Sequence, residues 1–180
     1  MVKLQDNEIE LRAFTESDLP RLWELLYKEE NPEWKEWDAP YYKHEAITYE
    51  RFLFEKYNYL NQPSRFAITV DDELTGMVSY YFEDEMRKWL EVGIVLYEGG
   101  NWGRGIGTRV LEMWIDHVFK THPNIARAGL TTWSGNARMM RVGEKLGMTL
   151  EGRMRAVRYH DGQYYDSIRM GVLREEWDAR

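Results

Sequence analysis

The stretch Asn101-Trp-Gly-Arg-Gly-Ile-Gly-Thr108 decides the fold of this chain. It contains three alternating glycines, and it lies between a strand-like segment (90–96) and an amphipathic segment typical of a helix. Glycine permits left-handed backbone and leaves the backbone N–H groups uncovered. The dipole of the following helix adds partial positive charge at the same point. The stretch therefore predicts a binding site for a phosphate or pyrophosphate.

Two better-known phosphate loops have a different pattern. A Walker A loop places Lys and Ser/Thr after its last glycine, and residues 101–108 contain no lysine. A Rossmann loop has Gly-x-Gly-x-x-Gly early in a βαβ unit, whereas the spacing here is Gly-x-Gly-x-Gly, past the middle of the chain. An ordinary helix start with three glycines would lose conformational entropy without gaining packing, so we favour a binding loop.

Length and composition indicate one globular domain spanning residues 1–180, since 43% of the residues are hydrophobic. The absence of cysteine excludes disulfides and fits a cytoplasmic location. A net charge of −7 argues against a duplex nucleic-acid partner and mildly favours amine-bearing ones. The sequence shows neither a signal peptide nor an apolar membrane span. We therefore expect no nucleic-acid partner, no membrane partner and no metal.

Hydrophobic periodicity predicts the element order β-α-α-β-β-β-α-β-α-β-β. This order predicts an α/β (α+β) fold: a mixed, mostly antiparallel sheet of about six to seven strands, flanked by about four helices, with its parallel part around the glycine loop. The predicted strands are 9–14, 65–70, 77–82, 89–97, 126–133 and two around the turn 160–162, and the predicted helices follow Thr15 and cover 45–60, 105–120 and 136–146.

Two motifs in this order resemble the GNAT superfamily of acyl-CoA N-acetyltransferases, in its RimJ/RimL-type branch. Trp102–Gly107 matches the family signature Gln/Arg-x-x-Gly-x-Gly/Ala except at its first position. Asn136–Met148 is similar to a second segment of that branch, with Met139 in place of serine and Met148 in place of phenylalanine. The resemblance covers roughly residues 7 to 174, and the two motifs together are more specific than either alone.

The resemblance implies acetyl-CoA as co-substrate, with its pyrophosphate on the backbone amides of residues 103–108 and its pantetheine beside the preceding strand. The implied cofactor-binding residues are Ile94, Val95, Leu96, Trp102, Gly103, Arg104, Gly105, Ile106, Gly107, Thr108 and Asn136.

Several of these residues have a second, purely structural interpretation. Arg104 either adds charge to the phosphate site or is simply solvated. Thr108 either donates its hydroxyl to a phosphate or is an ordinary first-turn residue. Asn136 either bonds the pantetheine amide or caps a helix. Residues 94–96 also suit the core, and both roles are compatible because backbone binds while side chains pack.

Glu91 is the candidate general base, because it occupies the strand before the loop and so resembles the glutamate of several GNAT enzymes. The alternative is an ordinary strand glutamate, with Glu83 and Asp84 as second choices for the base. A backbone N–H near Val95 is the expected donor to the developing oxyanion. Many family members carry a tyrosine acid seven residues after the motif asparagine, but this chain has Gly143 there, so the acid is unassigned.

Residues 31–42 lie where the family places its acceptor-covering region. Trp34, Trp37 and Tyr41, with neighbouring Glu33, Glu36 and Asp38, suit an amine through cation–π attraction and ion pairing. Alternatively, these aromatic residues only pack the helices against the sheet.

We therefore expect an acetyl-CoA-dependent N-acetyltransferase. It would act on a primary amine (a protein N-terminus, or a small amine such as a polyamine) by direct attack in a ternary complex, as a monomer or homodimer. The alternative is a non-catalytic acyl-CoA-binding or sensing domain.

Overall fold

The computed structural model describes residues 2–180. Its eight strands are β1 (Lys3–Asp6), β2 (Ile9–Ala13), β3 (Arg65–Val70), β4 (Glu73–Phe82), β5 (Leu90–Leu96), β6 (Arg127–Trp133), β7 (Thr149–His160) and β8 (Gln163–Leu173). Its five α-helices are α1 (Leu19–Tyr27), α2 (Tyr49–Leu53), α3 (Ile106–Thr121), α4 (Ala137–Lys145) and α5 (Arg174–Asp178).

The strands form one sheet in the order β1-β2-β3-β4-β5-β6-β8-β7. All neighbours are antiparallel except β5 and β6, which are parallel and flank the glycine loop and α3. The predicted mixed, mostly antiparallel class is confirmed. The counts exceed the prediction by one strand and one helix, since β1 and α5 are too short to give a periodic signal.

Two predicted boundaries were wrong for local reasons. The strand predicted to begin at residue 77 begins at Glu73, because Asp71 and Asp72 both take left-handed backbone and close a two-residue hairpin turn. The helix predicted over 45–60 shortens to α2 and a 3₁₀ turn at Lys56–Asn58. Thr48 caps α2 at its start, and a bridge between Phe14 and Leu60 draws the chain back to the sheet.

Each face of the sheet has its own apolar core. Helices α3 and α4 cover one face, where α3 buries the predicted stripe that includes Trp114. Helices α1 and α2 and residues 31–42 cover the other face, around Phe52 and Trp34. No helix within residues 2–180 has both the length and the apolar character needed to cross a membrane.

The parallel pair β5–β6 is joined over only two positions. Leu90 pairs with Ala128 and Glu91 pairs with Gly129, after which the strands diverge. Each strand keeps its antiparallel partner on the other side along its whole length. The sheet is therefore open between the later parts of β5 and β6, next to the glycine loop.

Asp18 ties α1 to the sheet. The residue is 7% exposed, and its side chain accepts hydrogen bonds from Arg12 Nη1 at 2.7 Å, Arg12 Nη2 at 2.8 Å and Thr15 N at 2.7 Å. Burial acts to raise the pKa of Asp18, but the hydrogen bonds from Arg12 and Thr15 outweigh it and hold that pKa below its ordinary value.

We expect Asp18→Asn to lower the free energy of unfolding at pH 7 by about 1.5–3 kcal/mol, because charge-assisted hydrogen bonds are lost. A lowered pKa in the folded state contributes stability above the unfolded pKa of about 3.9, and this contribution disappears as pH falls through the folded pKa. Urea titrations over this acid range test the expectation. Asp72→Asn, in an exposed turn, serves as the control, and a difference from wild type that persists unchanged in acid would contradict it.

Candidate active site

The glycine loop presents a row of free backbone donors. Gly103 and Gly105 have left-handed φ of 74° and 80°, and the space beside both is open. Among residues 2–180, the N–H groups of residues 103–107 have no backbone acceptor, whereas those of Thr108 and Arg109 donate to Gly105 O at 3.2 Å. The anion site predicted over 103–108 therefore has its free amides at 103–107, and the Thr108 amide belongs to the helix.

The other loop residues have distinct surroundings. Ile106 is buried in the core below the loop, and Thr108 is half-buried. The exposed Arg104 side chain donates to Asn101 Oδ1 at 3.4 Å, beside the groove. Trp102 donates its indole N–H to Leu96 O at 3.0 Å, which fastens the loop to the end of β5.

A row of cations on α4 faces the loop, and the sequence interpretation missed it. Arg138, Arg141 and Lys145 line one groove of about 870 Å³ together with the glycine loop. Their spacing of three and four residues places them on one side of α4, so helical periodicity in the sequence could have predicted this row. With the free amides opposite, these cations make the groove suitable for a polyanion.

A second cavity, of about 380 Å³, occupies the opening between β5 and β6. It is lined from both faces of the sheet. The side of α3 and α4 contributes Ile94, Leu96, Gly107, Met139 and Val142, and the side of α1 contributes Trp37, Asp38, Tyr41, Met77, Ser79 and Val95.

Trp37, Trp102 and Arg138 line both this cavity and the groove of the glycine loop, and so mark the passage between them. The Arg138 guanidinium lies 4.2 Å from the centre of the Trp37 ring and 5.1 Å from that of Trp102. These three residues come from the 31–42 segment, the loop and α4. The passage is therefore built by three separate parts of the chain.

Asn136 caps α4 and also anchors the 31–42 segment. Its Oδ1 accepts from Met139 N at 3.0 Å, and its Nδ2 donates to Trp37 O at 3.0 Å. Trp133 Nε1 donates to the same Trp37 carbonyl at 3.0 Å. The structure thus shows the capping role of Asn136 and brings its amide to the cavity wall, while a pantetheine contact stays a prediction.

The hydrogen-bond alternation of β5 decides which backbone groups face the opening. Glu83 N donates to Trp89 O at 2.8 Å, and Tyr97 N donates to Thr75 O at 2.9 Å, which fixes the bonded pairs between β4 and β5. Val95 belongs to that alternating set, so its N–H is directed to β4. The N–H groups of Ile94 and Leu96 face the opening instead, and Val95 contributes its side chain.

Glu91 is 0% exposed and is held by three donors. Its Oε1 accepts from Arg127 Nη1 and Trp89 Nε1, both at 2.9 Å, and its Oε2 accepts from Thr131 Oγ1 at 3.0 Å. Thr131 lines the cavity, and Glu91 lies directly behind it. The predicted base therefore sits at the joined end of β5 and β6, but without direct contact with the cavity.

The second-choice bases lie further away. Glu83 is paired with Arg169 Nη1 at 3.2 Å, and Asp84 accepts the backbone N–H groups of Lys88 and Trp89 in the β4–β5 turn. Gly143 occupies the position where many family members carry a tyrosine. Packing leaves no room for a side chain there, because an added Cβ would lie 2.8 Å from Met170 Sδ.

The predicted acceptor residues divide into two kinds. Trp34 is buried and donates to Leu25 O at 2.9 Å, so it packs the core, and it also lines the cavity. Trp37, Asp38 and Tyr41 line the cavity. Although Asp38 is open to solvent, the protein atoms around its carboxyl desolvate it and raise its pKa, and Lys35 offsets this only in part.

A glycine loop with free backbone amides lies beside a splayed parallel strand pair, which is the arrangement that the resemblance to the GNAT superfamily implies. The chain belongs to the GNAT acetyltransferase family, whose model, described as an acetyltransferase (GNAT) domain, matches residues 8–149. With the named N-acetyltransferases among its relatives, this makes it an N-acetyltransferase.

Three similar proteins illustrate the relationship. Spermidine N(1)-acetyltransferase of Escherichia coli (strain K12) is 26% identical over 145 residues, which cover 79% of this chain and 74% of that protein. A crystal structure of spermidine N-acetyltransferase from Vibrio cholerae in complex with CoA and spermine has a TM-score of 0.76 at 18% identity, covering 96% of this chain and 99% of that one.

RimL, a ribosomal L7/L12 alpha-N-protein acetyltransferase solved in complex with coenzyme A, has a TM-score of 0.73 at 23% identity, over 96% of this chain and 98% of that chain. Its fold is consistent with the RimJ/RimL-type resemblance. The groove fits a coenzyme A diphosphate, because left-handed glycines, free amides and the α4 cations converge there.

We expect Gly105→Ala to weaken coenzyme A binding about tenfold, or about 1.4 kcal/mol. The added Cβ would enter the open groove and strain a left-handed residue. Isothermal titration calorimetry with coenzyme A gives the affinity. Gly147→Ala is a matched control, because Gly147 also has positive φ and open space but ends α4 away from the groove. Equal losses of affinity in both variants would show that strain alone is responsible.

Proposed function

We propose that this enzyme transfers the acetyl group of acetyl-CoA to a primary amine by direct attack within a ternary complex. The observation that carries the proposal is the single cavity lined from both faces of the sheet. The groove of the glycine loop adjoins it at Trp37, Trp102 and Arg138, and Asp38, Ala39 and Tyr41 line it outside the groove. Acetyl-CoA and the amine can therefore be bound at the same time, as a ternary complex requires.

The chemistry of the chain agrees with direct transfer. It has no cysteine, so an acyl-cysteine intermediate is excluded. The N–H groups of Ile94 and Leu96 face the opening, where they can donate to a developing oxyanion. We keep Glu91 as the proposed base, and the thiolate leaves without an assigned acid because Gly143 replaces the usual tyrosine.

The acceptor side suits an ammonium group. Asp38 supplies a carboxylate, and Trp37 and Tyr41 supply aromatic faces. These side chains therefore favour a primary amine, brought from the face covered by residues 31–42.

Two classes of amine are candidate acceptors. The relatives include enzymes named for spermidine and for a ribosomal protein N-terminus, which are a small polyamine and a peptide amine. Arg158 lies 4.9 Å from the centre of the Tyr41 ring, so a cation stands beside this cavity-lining residue. This cation disfavours a long polyamine and favours an acceptor with a single amine near acidic or neutral groups.

The proposal is tested by measuring thiol release from acetyl-CoA with a panel of amines: spermidine, single-amine compounds, and peptides with free or blocked N-termini. We expect turnover with free amines and none with blocked peptides. Coenzyme A binding without turnover on any amine would instead support the non-catalytic sensing alternative.

We expect Asp38→Asn to raise the KM of the best amine about tenfold, because a charge-assisted contact is removed. The coenzyme A dissociation constant should change less than about twofold, since Asp38 lies outside the groove of the glycine loop. Steady-state kinetics and calorimetry measure the two constants. Glu29→Gln removes an exposed carboxylate outside the cavity and should leave both unchanged. An unchanged KM in Asp38→Asn would refute this acceptor site.

A further inference from the structure

Thr131 stands between the buried Glu91 carboxylate and the cavity. Its hydroxyl donates to Glu91 Oε2 at 3.0 Å, and the residue itself is half-buried and lines the cavity wall. A hydroxyl has one proton and two lone pairs. The proton points to Glu91, so the two lone pairs can act as acceptors. The Tyr81 hydroxyl also approaches Thr131, which leaves one lone pair for an N–H from a group inside the cavity.

We propose that Thr131 is a catalytic residue that passes a proton from the acceptor ammonium to Glu91, an inference that rests on the proposed function. One N–H bond of the ammonium breaks as an O–H bond forms at Thr131 Oγ1. The former Thr131 proton moves to Glu91 Oε2, which becomes neutral. The nitrogen lone pair is then free for attack, and the same hydroxyl returns the proton from Glu91 to water in the cavity.

Direct action by Glu91 does not fit the geometry. Its carboxylate is 0% exposed, does not line the cavity and is enclosed by Trp89, Arg127 and Thr131. Trp89 and Arg127 bond the other carboxylate oxygen. Oε2 is therefore the oxygen left to take a proton, and Thr131 is its neighbour on the cavity side.

Arg127 positions this carboxylate without fully neutralising its surroundings. Its guanidinium also pairs with Glu151, with Nε donating to Oε2 at 2.8 Å, so the three groups carry one net negative charge. It lies over Gly129 and Gly171, where an added Cβ would collide with it. The other ionisable groups around this cluster are Tyr81 on β4, Glu83 just after β4, Lys88 before β5 and Arg169 on β8.

The kinetic test compares Thr131→Val, which removes the hydroxyl but keeps the shape, with Thr131→Ser, which keeps the hydroxyl. We expect kcat with the best amine to fall on the order of 100-fold in Thr131→Val and less than about threefold in Thr131→Ser. The kcat of Glu91→Gln should fall by a similar factor. The kcat of the double variant should be no lower than that of the slower single variant, because the two residues act as a unit.

The pH profile of kcat/KM separates a relay from a merely structural role. Wild type and Thr131→Ser should share an acid limb that Thr131→Val and Glu91→Gln both lose. Thr69→Val, at a buried threonine outside the cavity, should keep the wild-type profile. A second measurement needs no turnover and uses urea unfolding of the coenzyme-free protein. The loss in free energy of unfolding in the double variant should be smaller than the sum of the losses in the two single variants.

Three results would overturn the relay. If Thr131→Val kept the wild-type kcat and pH profile, the relay would be rejected and the proposed function would be left intact. Additive losses in the unfolding cycle would show that the Thr131–Glu91 hydrogen bond is absent. A wild-type protein that acetylates no amine would reject the proposed function and the relay together.

Discussion

The two-position pairing of β5 with β6 is the constraint on which the rest of the structure depends. Parallel strands that stay joined satisfy one another's backbone groups, but strands that part leave N–H and C=O groups facing a gap. Here the gap exposes the backbone of Ile94 and Leu96 beside the glycine loop. The N–H groups that face this gap, the free loop amides and the α4 cations lie along one path, which is what an extended, phosphorylated ligand requires.

The joined end of the same strand pair carries the buried charges. Glu91 and Gly129 are the last paired residues, and Arg127 crosses the glycines to reach Glu91. The opening thus begins where the polar cluster ends. This arrangement puts a fixed carboxylate behind Thr131 in the cavity wall, while Asp38, Ala39 and Tyr41 line the same cavity from the 31–42 segment.

Local signals in the sequence predicted most of the fold. The glycine loop, the apolar stripe of α3 and the Asp161-Gly162 hairpin turn depend on neighbouring residues, and the structure contains all three. The placement of Trp37 at the passage depends on its contact with Asn136, 99 residues away, and the placement of the Glu91 carboxylate depends on its contact with Thr131, 40 residues away. Such contacts leave no periodic pattern, so the sequence named Trp37, Asn136 and Glu91 without their partners.

Stability alone does not account for the Glu91–Arg127–Glu151 cluster. A buried ion pair costs desolvation energy that its Coulomb attraction repays only in part, and apolar residues of similar volume are often neutral or better. The cluster further requires glycine at both 129 and 171, which lowers the strand propensity of β6 and β8. Features that cost stability persist where they serve chemistry. The cost is concentrated behind Thr131, beside the only stretch of the described chain where two strands part around a cavity.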